Sequence, residues 1–361
     1  MAEEKRYPGQ STEVFPEPFN KPLAVIPTGK PGQLAEEKIK QFFDEGFLVV
    51  EDFFTPEELQ PCRDAIEKMV DVLADKLYKA GKVKNLYKDS GLFQRLTMLE
   101  KEFQGANILL FKHQKMPEEF RNLWCNERIL NLIEQIIGPD ISGHPVWNMR
   151  TKTPLSAATN IPWHQDSGYF SNESYDHMVP TAWIPFLDAT EENGCMVMAR
   201  YGHKKGKVAD HTCCAANTWY ITLEEEEMRK TLGVDLEKDI INCPVKYGGF
   251  VLFHNITPHR SLPNVSNDIR WSIDLRWQSP HENWGFYGIQ EGVEMRSSKN
   301  PNVIQDWDKF LSVDRKEVWQ EKFRKQAKQT TDPFDTTVTG PWIGQWKIVN
   351  QNQHTRAYER S

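Results

Sequence analysis

The chain of 361 residues predicts an α+β fold, with a helix-rich first part laid over one face of a β-sandwich or barrel. Three observations carry this. Leu59, Cys62, Ile66, Met69, Leu73 and Leu77 recur at three- and four-residue intervals, the stripe of an amphipathic helix. From about Val146 the pattern changes to short apolar runs at 181–186, 195–198, 250–254 and 270–277. Turn-rich stretches separate these runs, as in a sandwich or barrel.

Taken in order, residues 1–34 hold six prolines and few apolar residues, the composition of an extended arm. Residues 35–45 are helical in composition, Gly46 stops them, and 47–50 form a strand. Thr55-Pro56-Glu57-Glu58 is a capping box with proline at the first helical position. It opens the amphipathic helix, which Pro61 is expected to kink or delay. A second helix is expected over 117–137, ended by Gly138-Pro139. Residues 223–239 form an acidic helical insertion. Beyond about Phe286 the chain is polar with scattered tryptophans, so wrapping loops and a short helix around 314–328 are expected. This organisation gives an arm (1–34) and one domain (35–361). The domain comprises a helical cover to about 140, a β core over about 145–280 and a wrapping segment over about 285–361.

The balance of 44 basic and 51 acidic residues argues against nucleic acid as a general partner. The longest apolar runs are too short for a transmembrane helix, so no membrane insertion is expected. No apolar signal segment follows Met1 and no lipidation or peroxisomal address closes the chain, so a cytoplasmic location is expected. Oligomeric state is left open. The six cysteines lack zinc-type spacing, and Cys213 and Cys214 are simply adjacent. They are expected to be reduced and mostly buried.

The chemistry centres on His164-Gln165-Asp166. On a β-strand the imidazole and carboxylate project to one face while Gln165 points away. That is two-thirds of a facial triad of the kind that suits non-haem Fe(II). The third ligand is sought among His254 and His259. His259 lies just past the apolar strand at 250–253, and Arg270 follows eleven residues later. The turn composition of 263–268 suggests that the two segments are neighbouring strands, with Arg270 entering the cavity of His259. A guanidinium there suits bidentate capture of a carboxylate, such as the distal one of 2-oxoglutarate. His254 lies sixteen residues from Arg270 with no serine after it, and reads as a core histidine.

The chain at this point resembles the phytanoyl-CoA dioxygenase family of Fe(II)- and 2-oxoglutarate-dependent oxygenases. Residues 43–50, His164-Gln165-Asp166 with Tyr169-Phe170, the block from Asn193-Gly194 to Gly202-His203-Lys204, and His259-Arg260-Ser261 with Asn264 and Arg270 carry the resemblance. It implies a double-stranded β-helix (jelly-roll, cupin-like) core with flanking N-terminal helices. It implies His164, Asp166 and His259 as iron ligands, with Arg270 and Ser261 on the distal carboxylate of 2-oxoglutarate. Shorter matches imply co-substrate roles for Lys112, for Met149 (five residues ahead of Pro154) and for Trp183. Arg260 departs from the small residue usual after the distal histidine and faces either solvent or substrate. Ser272 shares a strand face with Arg270 and is an alternative to Ser261.

Other residues have plainer readings. Trp163, Trp183, Trp271 and Trp277 fit core packing better than an aromatic cage. The acidic run 224–227 fits a solvated helix start. His203 reads as a loop side chain satisfied by backbone, and His177 and His281 as rim histidines. The expected activity is hydroxylation of an unactivated C–H bond of an organic small molecule, with O2 consumed and 2-oxoglutarate decarboxylated to succinate. The carboxylate of Asp166 favours this over halogenation, since halogenases of this type have a small residue there. The alternatives are a catalytically silent metal-binding or interaction protein, and a Zn or Mn enzyme without 2-oxoglutarate. Loops at about 79–105, 168–180 and 205–245 are expected to face the substrate.

Overall fold

The computed structural model describes residues 20–112, 115–323 and 332–359. Six helices come early: α1 (Glu36–Glu45), α2 (Pro56–Lys79), α3 (Gly91–Glu102), α4 (Ala106–Phe111), α5 (Glu118–Trp124) and α6 (Glu127–Ile137). Gly46 ends α1 at φ 89°, its N–H donating to Phe42 O at 2.8 Å. A Cβ at Gly46 would lie 2.5 Å from both His203 Nδ1 and Thr257 Oγ1, so only glycine fits this turn. The capping box forms as expected: Thr55 N donates to Glu58 Oε2 at 2.8 Å, and Glu58 N to Thr55 Oγ1 at 3.4 Å. Pro61 does not delay α2, which runs unbroken from Pro56. Leu59, Cys62 and Ile66 bury on one face across that position, and this packing outweighs one missing backbone bond.

Two expectations for the helical part change. The helix over 117–137 is two helices, because the Asn126 side chain accepts from the N–H groups of Arg128 and Ile129 and starts a new one. The stretch 79–105, read as a substrate-facing loop, contains α3, which buries Arg95, Leu96 and Leu99. Residues 20–34 have no strand or α-helix but are tied to α6. Gln135 Nε2 donates to the carbonyls of Pro27 and Leu34, both at 2.8 Å, and Lys30 pairs with Glu134.

The strands are β1 (Phe47–Val50), β2 (Ile141–Gly143), β3 (Asn148–Lys152), β4 (Thr181–Pro185), β5 (Met196–Ala199), β6 (Thr212–Cys213), β7 (Ile221–Thr222), β8 (Ile240–Cys243), β9 (Phe250–Phe253), β10 (His259–Ser261), β11 (Arg270–Gln278), β12 (Val293–Arg296) and β13 (Lys347–Ile348). The major sheet runs β1-β9-β4-β11-β2-β12, with β3 beside the first half of β11. A minor sheet, β10-β5-β8, faces it. The outer face of the major sheet (Ala182, Ile184, Leu252, Trp271, Ile273, Leu275) packs under the helices in the largest core cluster. The inner face gives Phe47, Trp183, Val251 and Phe253 to a second cluster with Met196, Met198 and Cys243 of the minor sheet. Two antiparallel sheets enclosing a cavity, with helices over one of them, make a double-stranded β-helix.

The insertion at 223–239 holds a short helical turn, α7 (Glu225–Glu227), continuing to Leu232. The C-terminal part does more than wrap. β12 joins the major sheet beside β2, and β13 pairs in parallel with β6. Between them lie α8 (Trp307–Ser312) and α9 (Arg315–Phe323); the rest of the helix expected to 328 falls outside the described residues. A last helix, α10 (Gln353–Glu359), closes the chain. Among the described residues no helix is long and apolar enough to cross a membrane.

Candidate metal centre

His164 and Asp166 converge without a continuous strand. His164 forms an isolated antiparallel bridge with His259 of β10, and Asp166 opens a 3₁₀ turn to Tyr169. The two histidines exchange backbone bonds, His164 N to His259 O at 3.0 Å and the reverse at 2.9 Å. Gln165 does point away: it donates to the carbonyls of Lys207 (2.9 Å) and Ile256 (2.6 Å) and accepts from Ala209 N (2.8 Å). This fastening sets the direction in which its two neighbours project.

His164 Nε2 and His259 Nε2 each lie 3.7 Å from Asp166 Oδ1, and all three residues are buried. One ligand atom from each falls within 4.8 Å of the others, a group that could hold a metal ion. Both Nδ1 atoms face backbone carbonyls at 2.9 Å, Pro162 O for His164 and Thr257 O for His259. Each Nδ1 therefore carries the proton, leaving the Nε2 lone pair toward Asp166. Burial, with His164 alongside, pushes His259 down to about 3. Burial alone would raise Asp166, but Arg276 and the two imidazoles outweigh it and hold the carboxyl well below its ordinary range. A neutral His259 imidazole and an ionised Asp166 carboxylate are protonation states that metal binding requires.

The other carboxylate oxygen is fully committed. Asp166 Oδ2 accepts from Arg276 Nε at 3.0 Å, Arg276 Nη2 at 2.8 Å and Thr181 Oγ1 at 2.9 Å. Sequence reasoning missed both partners. Arg276 was legible in principle, since Arg270, Ser272, Asp274 and Arg276 alternate along β11 and share the inner face.

At the other end of the cavity lies Arg270, buried, its guanidinium 4.9 Å from the Trp183 ring centroid and its Nη1 donating to Ser272 Oγ at 2.8 Å. Burial lowers it to about 10, which leaves it charged. His164, His259, Trp183, Ser261 and Arg270 line one cavity. His259 and Arg270 do not sit on neighbouring strands, however. β10 pairs with β5 in the minor sheet and β11 with β3 and β4 in the major one, so they face each other across the cavity. The turn-rich segment between them passes from one sheet to the other instead of closing a hairpin.

Two residues implied by resemblance lie elsewhere. Lys112, at the C-terminal end of α4, donates to Asp335 O at 2.6 Å and pairs with its carboxylate at 3.7 Å; it does not line the cavity. Met149 packs in the core beneath the helices, opposite Ile273. Strand alternation turns its neighbour Arg150 inward instead, where Nε and Nη2 reach Asp274 Oδ2 at 2.8 and 2.5 Å. Ser272 takes the Arg270 bond, and Arg260 borders the cavity with its guanidinium 5.2 Å from the Trp163 ring.

No aromatic cage forms: Trp271 and Trp277 are in the helix-covered core, away from Trp163 and Trp183. His203 Nε2 bonds Phe43 O at 2.8 Å, as expected, and His254 is buried against Phe42. Cys213 and Cys214 are not reduced thiols but a disulfide between adjacent residues, their Cα atoms 3.0 Å apart and both side chains buried. Spacing rules had no reason to pair immediate neighbours, yet the sulfurs reach each other here.

Facing sheets around two histidines and one carboxylate define the class: a double-stranded β-helix with a facial donor set of the non-haem iron type. The chain belongs to the phytanoyl-CoA dioxygenase family, whose model matches residues 42–272. It is 30% identical over 197 residues to a 1-deoxypentalenic acid 11-beta-hydroxylase of Streptomyces arenae, covering 51% of this chain and 66% of that one. It is 22% identical over 317 residues to the peroxisomal phytanoyl-CoA dioxygenase of Homo sapiens, covering 83% and 84%. A solved non-heme monooxygenase, ThoJ in its apo form, has the same fold at a TM-score of 0.53 and 15% identity, over 80% of this chain and 99% of that one.

Proposed function

We propose that the chain is an Fe(II)- and 2-oxoglutarate-dependent dioxygenase that hydroxylates an unactivated C–H bond of an organic small molecule. The observation that carries this is one cavity lined by His164 and His259 at one end, with Asp166 grouped beside them, and by the Arg270 guanidinium at the other. The donor set, two imidazole nitrogens and one carboxylate oxygen, fits ferrous iron with positions left open. Bound there, iron would supply the oxygen chemistry that couples decarboxylation of 2-oxoglutarate to succinate with C–H hydroxylation.

The protein's part is positional and electrostatic. Arg276 and Thr181 fix Asp166 so that Oδ1 alone faces the histidines. Arg270 and Ser261 hold the distal carboxylate of 2-oxoglutarate, and Trp183 walls that end from water. The pair Arg150–Asp274 lies on the inner face between Arg270 and Arg276 and keeps the floor polar without a net charge. The names of relatives, a hydroxylase and a dioxygenase, support the activity and a small-molecule substrate. A silent scaffold has no need of the Arg270 clamp, which weighs against the alternative.

The test is succinate release coupled to oxygen uptake with Fe(II) and 2-oxoglutarate, screened across small-molecule classes. Wild type is expected to form succinate slowly without substrate and His259→Ala not at all. Equal succinate from both proteins would overturn the reading.

A further inference from the structure

We propose that Trp346 is a positioning residue of the metal centre: from the C-terminal segment it fixes the backbone turn that carries Asp166. This rests on the reading of His164, Asp166 and His259 as metal donors.

The side chain of Asp166 is held by Arg276 and Thr181, but its backbone is held by other groups. The 3₁₀ turn Asp166–Tyr169 closes with Gly168 N donating to Gln165 O at 2.9 Å. That leaves Gln165 N and Gly168 O to be met from elsewhere. Gln165 N donates to His211 Nε2 at 3.1 Å, and Gly168 O accepts from Trp346 Nε1 at 2.7 Å. His211 Nε2 can accept because the ring's proton sits on Nδ1, which faces Ala209 O at 2.8 Å. The Trp346 and His211 rings pack on each other with centroids 4.9 Å apart, and both side chains are buried. A Cβ at Gly168 would lie 3.1 Å from His211 Cε1 and Nε2 and 2.6 Å from Ile221 Cδ1, so the turn is packed directly against them.

A buried indole N–H needs an acceptor. That of Trp346 finds one in the turn, two residues beyond a metal donor. The indole is itself anchored: β13 follows at once and pairs with β6, and Ile256 and Ile343 share its apolar cluster. Trp342, in the same segment, has its ring centroid 6.2 Å from that of Tyr169, whose ring lies 5.5 Å from His164. Two tryptophans of one segment therefore back the Asp166 turn and, through Tyr169, the His164 imidazole. The segment lies outside residues 42–272, which the family model matches. A facial donor set works only when its atoms are held to within about 0.5 Å, so a turn free to shift would weaken metal binding.

The test titrates the full-length, metal-free protein with Co(II), reading affinity and visible absorption, and sets both against the thermal midpoint. Trp346→Phe keeps a ring against His211 and removes the N–H. It should shift the Co(II) bands and weaken affinity by about three- to tenfold, less than the loss of a group that bonds a metal ligand directly. Should that variant unfold, a benzothienyl side chain at position 346 keeps the indole's shape without the N–H and is read the same way. His211→Leu should also weaken Co(II), and His211→Gln, which keeps an acceptor for Gln165 N, should recover part of the loss. Ile343→Val trims the same cluster without a bond to the turn; it should lower the midpoint and leave Co(II) affinity and spectrum as in wild type. Wild-type affinity and spectrum in Trp346→Phe overturn the proposal. So does an equal affinity loss in Ile343→Val, which would make Trp346 core packing alone. No Co(II) binding by wild type overturns the metal-centre reading, and this inference with it.

Discussion

Arg276 grips a single oxygen of Asp166 with two of its nitrogens, Nε at 3.0 Å and Nη2 at 2.8 Å, and so turns the other oxygen toward both imidazoles. The pair is buried, and Arg276 therefore orients one donor of the candidate metal centre without being a donor itself.

Arg276→Met should lower Co(II) affinity by roughly 10–100-fold, the usual consequence of losing a group that orients a ligand. It also leaves Asp166 without its buried counter-charge, so the metal-free protein should lose about 3–5 kcal/mol of stability. Arg276→Lys should restore charge but not the two-nitrogen grip, and recover stability more than affinity. Visible absorption with Co(II) and urea unfolding check the two effects separately.

Fe(II) and 2-oxoglutarate added anaerobically should give a weak visible charge-transfer band. His259→Ala should abolish it, while Met149→Leu should leave it unchanged and cost less than about 1.5 kcal/mol of stability. Met149 faces the helix-covered core, so an altered band in that variant would contradict its placement.

Arg150→Met should be far more damaging than its neighbour's substitution. Asp274 would keep only the more distant Arg276, 3.8 Å away, and unfolding stability should fall by about 3 kcal/mol or more. The double variant Arg150→Met/Asp274→Leu should regain much of that loss, measured as a coupling energy from urea midpoints.

Acid should weaken the fold through a histidine that is buried neutral. Burial lowers His203 from its ordinary 6.5 to about 4. Between those values the unfolded chain takes up a proton that the folded one refuses. The His203 contribution is therefore complete above about pH 6.5 and lost as pH falls toward 4, by about 3 kcal/mol in all. Unfolding midpoints of the metal-free protein at pH 7.5 and 5 should show the drop, with a shallower one in His203→Gln.

The parts of the molecule legible in sequence were those where a local pattern has a single physical meaning. Gly46 could only end α1, the capping box could only start α2, and the alternation along 270–277 could only be a strand. His164, Asp166, His259 and Arg270 were recognisable because their residue types and separations suit one chemistry. What failed depended on which neighbour a segment meets. The loop composition of 263–268 does not say whether the chain turns back or crosses to a facing sheet, so His259 and Arg270 were set side by side. Met149 was placed by its distance from Pro154, although strand parity decides the matter and favours Arg150 and Lys152. Asn126 had the chemistry of a helix cap, but its apolar surroundings read as one continuous helix. Arg276 and Thr181 act through Asp166 from two strands, and neither has a local signature.

The backbone bridge between His164 and His259 has an evolutionary consequence. The two ligands are held in register by a pair of peptide hydrogen bonds, whatever chain runs from one to the other. That intervening chain also carries Lys207 and Ala209, which fasten Gln165, so its stretches away from these contacts and from the sheets can lengthen, shorten or change composition without moving either imidazole. A lineage built on this bridge can exchange its substrates while its reactive centre stays put.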